Sequence, residues 1–465
     1  MAYTAPEGTA DLLPAAARLW RSTVDTAAKL FSTYGFEPIE TPMFELTEVF
    51  THGIGEATDV VGKEMFVVRS GENYKRALAA GSDAGLKSKQ KLSLRPEGTA
   101  GAVRAVVQHN LVEQGAAPAK LWYAGPMFRA ERPQKGRLRQ FRQIGVECLG
   151  ATEPTADAEM IIMLMRFFQT MGVPRQSMTL LLNSMGDAAC RPAYRESVRR
   201  YILDHEDEMC EECRRRADTN PLRAFDCKNE ACAHVMEGAP KITDHLCDDC
   251  REHYEAVKAL LDAEGIAYVE DPTLVRGLDY YTRTVFEVQV SEGMGSQSAI
   301  GGGGRYDKLA EAVGGRPTPG LGFALGFERM VLALEAAGTL ADTPRRVDGY
   351  IACVDASVRP EAFSLACAAR DAGLTVEMDH QGKSLKSQFK MADKLGVRVV
   401  IVLGPDEVAQ GKARVRNMQT HAEKLVDIAA ARRLLSQFGG QPMGGAAKTI
   451  GMNVESLFAL EGEEG

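Results

Sequence analysis

One hairpin constrains this chain more than any other stretch. An apolar run from Leu121 to Met127 leads into FRAERPQKGRLRQFRQIGVECLG (128–150), and alternating Ile144, Val146 and Cys148 lead out of it. Two strands joined by a long loop satisfy that pattern. Six of the first fifteen residues of the stretch are basic (Arg129, Arg132, Lys135, Arg137, Arg139 and Arg142) against one acid, Glu131. A charge run is most often a solvated face. Here Gln143 and Glu147 fall at even spacing on one strand face, where packing would want apolar groups. Guanidiniums carried on strands can be aimed rigidly and grip phosphate oxygens in pairs. The stretch is read as one side of a nucleotide-handling site.

The rest of the chain limits what such a site can serve. With 465 residues it can bury more than one core, roughly two to four domains by length. A composition 45% hydrophobic and 25% charged is that of an ordinary globular protein. No apolar run approaches the ~20 residues of a membrane span, and the first residues lack the basic and apolar regions of a signal peptide. A cytoplasmic protein with no membrane partner is expected. The net charge of −8 argues against a general nucleic-acid coat. Residues 345–440 nevertheless carry 15 basic against 11 acidic residues, a local +4 that leaves −12 for the remainder. That asymmetry suits local RNA contact by a C-terminal module.

In chain order, residues 14–33 read as an amphipathic helix with Leu19, Val24, Ala27, Leu30 and Phe31 on its apolar stripe. An extended FEPIETP (36–42) follows, which its prolines confine to an edge or an interface. LSLRPEGTAGAVRAV (92–106) reads as strand, turn and helix, with Glu97 in the turn and Thr99 as N-cap. A Met-rich helix over 155–171 is read as core. Six cysteines then lie between Cys210 and Cys250, a density that in a reducing compartment means metal or free thiols. CEEC (210–213) and CDDC (247–250) suit a zinc site on Cys210, Cys213, Cys247 and Cys250 within an insertion having its own small core. Cys227, Cys232, His234 and His245 lie nearby and leave the ligand set open. Beyond Pro272 a strand is expected from Thr284, then a glycine run AIGGGGRYDKL (299–309) that lets backbone approach a ligand, with a helix from Tyr306. GLGFALGFERMVLAL (320–334) reads as a strand entering a helix with Arg329 in its first turn, where a cation opposes the dipole. Residues 348–435 read β-α-β-α-β-β-α, with a mostly parallel sheet and a last helix over 422–435. The tail beyond Gly439 is expected to be disordered.

Glu97–Thr99, FRAERPQKGR, RGLDYY, GGGGRYD and GFALGFER occur together and in this order. On those residues the chain resembles the bacterial histidyl-tRNA synthetases, class II aminoacyl-tRNA synthetases, over about residues 5–435. YGFEPIETP is similar to motif 1 of the class, Phe128 to Glu147 to motif 2 and Gly320 to Leu334 to motif 3; no HIGH or KMSKS signature of class I occurs. The resemblance implies an α+β fold: an antiparallel catalytic sheet flanked by helices, a cysteine-rich insertion and a C-terminal α/β anticodon-binding domain. The implied boundaries are 1–186 and 263–344 for the catalytic domain, 187–262 for the insertion, 345–438 for the anticodon domain and 439–465 for a flexible tail. It also implies a homodimer, with ATP and Mg²⁺, histidine and histidine tRNA as substrates; a structural zinc in the insertion is expected from the CxxC spacing alone.

By the same resemblance, Arg129 holds the α-phosphate, Arg329 the β- and γ-phosphates, and Phe141 stacks on adenine. Arg276 lies across the α-phosphate, where related enzymes use a metal. Arg129, Arg276 and Arg329 form the catalytic set. Glu97, Thr99 and Gln143 bind the α-amino group of histidine, Glu147 and Tyr281 face its imidazole, and Gly98, Arg129, Arg276 and Tyr280 complete the histidine-binding set. Arg132 and Gln134 of the hairpin loop are expected at the tRNA acceptor end. Arg142 stands where His is common, on the outer face of the hairpin. Three rival readings were weighed: a histidine-sensing paralogue of the ATP phosphoribosyltransferase regulatory type, which expects loss of the arginines and of the C-terminal domain; a class II synthetase of other specificity, against which RGLDYY argues; and a plain RNA-binding α/β protein.

Overall fold

The computed structural model describes residues 3–55, 58–83, 86–112, 117–227, 229–275, 277–290, 293–294, 298–341 and 347–431. They divide into two compact units between residues 342 and 343. The expected tail and Arg276 lie outside the described residues.

The first unit is built from strands β1 (Glu37–Pro38), β2 (Phe44–Leu46), β3 (Val67–Val68), β4 (Leu92–Leu94), β5 (Ala119–Phe128), β6 (Gln140–Leu149), β7 (Met178–Ser184), β8 (Val269–Glu270), β9 (Thr282–Val290), β10 (Ala299–Arg305) and β11 (Gly320–Gly326). Eight of them form one sheet in the order β1-β5-β6-β11-β10-β9-β7-β8. Its six inner strands are antiparallel, and the two-residue strands β1 and β8 pair parallel at the edges. Pro38 sits on that outermost strand, where its missing N–H leaves no ladder bond unmade. β2, β4 and β3 make a small separate sheet.

One face of the large sheet is closed by the helix Pro154–Met171, whose Met160, Ile161, Met163, Leu164, Phe167 and Phe168 are all essentially buried. The helix Pro14–Ser32 adds Ala27 and Phe31 to the same core, where Phe31 meets Trp122, Phe167 and Phe323 with ring centroids 5.7–6.0 Å apart. Each such ring contributes about 1.5–3 kcal/mol by leaving water. Within this apolar layer sits a charged knot that the sequence did not announce. Arg305 of β10 pairs with Asp157 of the Met-rich helix, and His253 Nε2 of the helix Asp248–Ala263 lies 3.3 Å from the same carboxylate. Arg305 also donates to Ala151 O at 2.7 Å. Burial alone would raise the Asp157 pKa, yet His253 and Arg305 hold it below the usual carboxylate value.

The glycine run is itself a strand, β10 over residues 299–305, and the helix expected from Tyr306 begins instead at Leu309. β10 is threaded between β9 and β11, and a methyl on Gly303 would overlap the backbone of Gly322 and Phe323. The insertion does not have a core of its own. Its Cys190, Tyr194, Val198, Met236 and Ile242 belong to the same apolar cluster as Val103 of the helix Thr99–His109 and Tyr280 and Tyr281.

The second unit holds β12 (Gly349–Cys353), β13 (Val376–Met378), β14 (Val399–Leu403), β15 (Lys412–Asn417) and β16 (Glu423–Asp427) in the order β13-β12-β14-β15-β16. Only the β13-β12-β14 part is parallel. The helix expected over 422–435 starts instead as β16, paired with β15 from Glu423↔Arg416 to Asp427↔Lys412. Among the described residues no helix is long and apolar enough to cross a membrane.

Candidate active site

β5 and β6 carry the hairpin, and its loop folds back through a tight turn in which Gln134 and Arg137 exchange backbone hydrogen bonds of 3.0 and 2.9 Å. Gly136 takes the left-handed conformation (φ 72) that this turn requires. Beyond the loop, β6 runs beside β11, so Gln143 stands opposite Gly326 and Glu147 opposite Gly322. The inner face of these strands, with β10, floors a cleft of about 180 Å³. Glu97, Thr99, Arg129, Phe141, Gln143, Tyr280, Tyr281 and Arg329 all line it, whereas Gly98 and Glu147 do not.

At one end the cleft is cationic. Arg129 donates from Nε to Pro96 O at 3.0 Å, and its guanidinium stands 5.2 Å over the Phe141 ring. The ring expected to stack on adenine thus already carries a guanidinium on one face. Arg329 donates to Gly136 O and Ala299 O, both at 3.1 Å, which ties the helix Phe327–Ala336 to the hairpin loop. Burial first, and then the charges of Arg129 and Arg137, push the Arg329 pKa below its ordinary value. Arg137 is paired with Glu131.

The other end is acidic and phenolic. Glu97 corrects the expected cap: Gly98, not Thr99, occupies the N-cap position, and Thr99 is the first helical residue. The Glu97 carboxylate takes over the capping role by accepting from Thr99 N at 2.6 Å and Ala100 N at 2.9 Å. Glu147 is fully buried and lies one layer beneath the cleft wall, clamped by the hydroxyls of Tyr123 (3.1 Å) and Tyr306. Burial, reinforced by the Glu97 charge and opposed by the phenol hydrogen bonds, pushes its pKa up to about 8. The space is made by glycines: a methyl on Gly322 would overlap Glu147 Oε2, and one on Gly98 or Gly145 would overlap the Tyr123 ring. Tyr280 packs against Tyr281 and Tyr306 at 4.7 and 5.6 Å. Gln143 Oε1 is buried with no hydrogen-bond partner among the described residues.

Tyr123 and Tyr306 are functional candidates that the sequence reading passed over. Tyr306 closes the GGGGRYD motif, and Tyr123 stands opposite Gly145 across the hairpin; a tyrosine facing a glycine was the available signal. Arg132 and Gln134 are exposed on the loop. Arg142 faces away from the cleft, with Glu328 accepting from its backbone N–H and Trp20 5.9 Å beneath its guanidinium. The zinc expectation needs correction in its ligands: Cys210 and Cys213 converge with Cys227 and Cys232, whereas Cys247 and Cys250 converge with Asp187 and Cys190. Neither His234 nor His245 joins these groups.

An inner antiparallel sheet, a basic strand–loop–strand beside it and a strand–helix that supplies the second arginine together make the architecture of a class II aminoacyl-tRNA synthetase. The histidyl-tRNA synthetase family model matches residues 8–330, and an anticodon binding domain model matches residues 348–437. The chain is 46% identical to the histidine–tRNA ligase of Anaeromyxobacter dehalogenans over 91% of its own length and 96% of that protein. It is 43% identical to that of Halothermothrix orenii, covering 90% and 96%. Apo histidyl-tRNA synthetase of S. aureus superposes with a TM-score of 0.76 at 34% identity, covering 94% of this chain and all of that one. The chain belongs to the histidyl-tRNA synthetase family.

Proposed function

We infer that the protein is a histidine–tRNA ligase. It joins L-histidine to ATP as histidyl-adenylate with release of pyrophosphate, then passes the histidyl group to the 3′ end of histidine tRNA. The observation that carries the reading is one cleft lined by Arg129 and Arg329 together with Glu97, Gln143, Tyr280 and Tyr281, and backed by the buried, tyrosine-held Glu147. Guanidiniums crowded in a half-dry site repel one another, and a polyphosphate relieves that repulsion. Arg129 takes the α-phosphate and Arg329 the β- and γ-phosphates, whose charge Mg²⁺ helps to neutralise. Adenine stacks on Phe141. Glu97, Gly98, Thr99 and the unpartnered Gln143 receive the amino-acid end, while Tyr280, Tyr281 and Glu147 recognise the imidazole. A buried site whose polar groups need partners rejects apolar analogues of similar shape. The family resemblance assigns Arg276 to the α-phosphate.

The exposed Arg132 and Gln134 meet the acceptor end, and the second unit meets the anticodon. The enzyme acts as a homodimer in the cytoplasm, with the motif 1 edge of the sheet at the dimer contact. A histidine-sensing paralogue would have no use for the cationic end. ATP–pyrophosphate exchange assayed with each of the twenty amino acids tests the reading: histidine alone should support it. Exchange with another amino acid, or none with histidine, would sink it. Changing Arg276 to His should slow exchange about a hundredfold, the ~3 kcal/mol typical of one charged donor to a transition state, with small effects on either KM.

A further inference from the structure

The cysteine-rich segment holds two clusters. Cys210, Cys213, Cys227 and Cys232 have Sγ atoms within 4.8 Å of one another, and so do the Sγ atoms of Cys190, Cys247 and Cys250 with an oxygen of Asp187. Cys210 and Cys227 stand 3.8 Å apart, and Cys190 and Cys250 3.9 Å. Asp187 Oδ1 lies 3.7 Å from Cys190 Sγ and 3.9 Å from Cys247 Sγ. Zinc with tetrahedral Zn–S bonds of about 2.3 Å spaces its sulfurs about 3.8 Å apart, whereas a disulfide needs about 2.05 Å. All these cysteines are free thiols.

Local structure builds both clusters the same way. Cys210 is the N-cap of the helix Glu211–Thr219 and Cys247 that of the helix Asp248–Ala263, so Cys213 and Cys250 fall in the first turns. Each CxxC pair therefore sits at the positive end of a helix, a favourable place for the negative charge of metal-bound sulfur. Backbone N–H groups point at the partner sulfurs, Cys210 N at Cys232 Sγ (3.1 Å) and Asp187 N at Cys190 Sγ (3.4 Å). Soft thiolates in a four-fold set select zinc over harder divalent ions.

We propose that the segment binds two structural zinc ions, one on Cys210, Cys213, Cys227 and Cys232 and one on Asp187, Cys190, Cys247 and Cys250. The second braces the wall of the active site. Asp187 also receives Arg283 Nη2 at 3.4 Å, and Arg191, next to Cys190, donates to Tyr281 O at 2.7 Å. Arg283 is held at φ 49, left-handed for a non-glycine residue, by bonds with Met185 and Gly186. The second ion thus fixes the turn that aims Tyr281, whereas the first ties together the segments around Cys210, Cys227 and Cys232.

Metal analysis of the full-length protein purified without chelator should give two zinc per chain, and Cys210→Ser/Cys213→Ser and Cys247→Ser/Cys250→Ser should each retain one. One zinc in the parent and none in either variant would mean a single site shared by the CxxC pairs and would overturn the proposal, as would a parent with no zinc or with iron in its place. If a variant fails to fold, cobalt exchanged into the unmutated protein decides. Two equivalents with intense thiolate-to-cobalt absorption support two sites, and one equivalent refutes them. The brace has a separate readout, which rests on the histidine reading above. Loss of the second ion should raise the KM for histidine several-fold while that for ATP holds, and loss of the first should lower Tm with both KM values unchanged. The metal count stands whatever the substrate proves to be.

Discussion

Glu147 is a carboxyl that burial keeps protonated at neutral pH, with a pKa near 8, while two phenols hold it in place. Histidine brings an imidazole with a free pKa of about 6.5. A pair sharing one proton, directly or through the Tyr306 hydroxyl, forms without net proton exchange only between those values. Below about 6.5 the ligand must shed a proton, and above about 8 the protein must take one up. Histidine affinity measured by calorimetry should therefore plateau between the two and fall on both sides. Glu147→Gln should remove the alkaline limb and raise the histidine KM; an unchanged profile would place the proton elsewhere. The same shift acts on folding. A carboxyl whose folded-state pKa is raised contributes stability that is full below its ordinary value of 4.5. That contribution is lost as pH climbs to about 8. Gly322→Ala offers a steric check: its methyl would overlap both Glu147 Oε2 and the Val146 carbonyl oxygen, so histidine KM should rise at least tenfold and Tm should fall as the pairing of β6 with β11 is strained.

Elements were legible where one local signal decided them. The helix Pro14–Ser32, the strand–turn–helix at Leu92 to His109 and the hairpin of β5 and β6 all follow from periodicity and turn residues. β10 did not, because glycine's weak strand preference gave way to a space between β9 and β11 that only glycine fits. β16 did not either: EKLVD reads as helix by propensity, but the left-handed His421 (φ 61) closes a turn that lays it against β15. Glu97 replaced Thr99 as cap because its carboxylate reaches forward to accept from two amides at once. A hairpin loop that reads only the acceptor end would split the two chemical steps. Arg132→Ala or Gln134→Ala should then leave pyrophosphate exchange near normal and depress aminoacylation. A parallel drop in both activities would assign the loop to the adenylate site. Asp157→Asn should cost about 3–5 kcal/mol, read as a lower urea midpoint, because it strands the buried Arg305.

At the scale of the molecule, the basic residues of 345–440 were the sequence's sign of a separate module, and the second unit has its own sheet and core. The ligand grouping in the insertion was not legible. Spacing along the chain favours joining the two CxxC pairs, while the fold brings each to a different partner, and the Asp187–Cys190 pair carries no CxxC signature. Sedimentation of the protein should give twice the 50.5 kDa of one chain; a single-chain mass would remove motif 1 from the dimer role. The order of strands in the large sheet bears on how the chain is made. β6 ends at Leu149, but the strand that covers its free edge, β11, begins at Gly320. At the ~5–20 residues per second of synthesis, that edge waits roughly ten to thirty seconds after it leaves the ribosome. Over the same interval Asp157 waits for Arg305. The nascent chain thus carries an open strand and an unpaired acid past the whole cysteine-rich segment, so a trigger-factor-like holdase should bind it most strongly before residue 305 emerges.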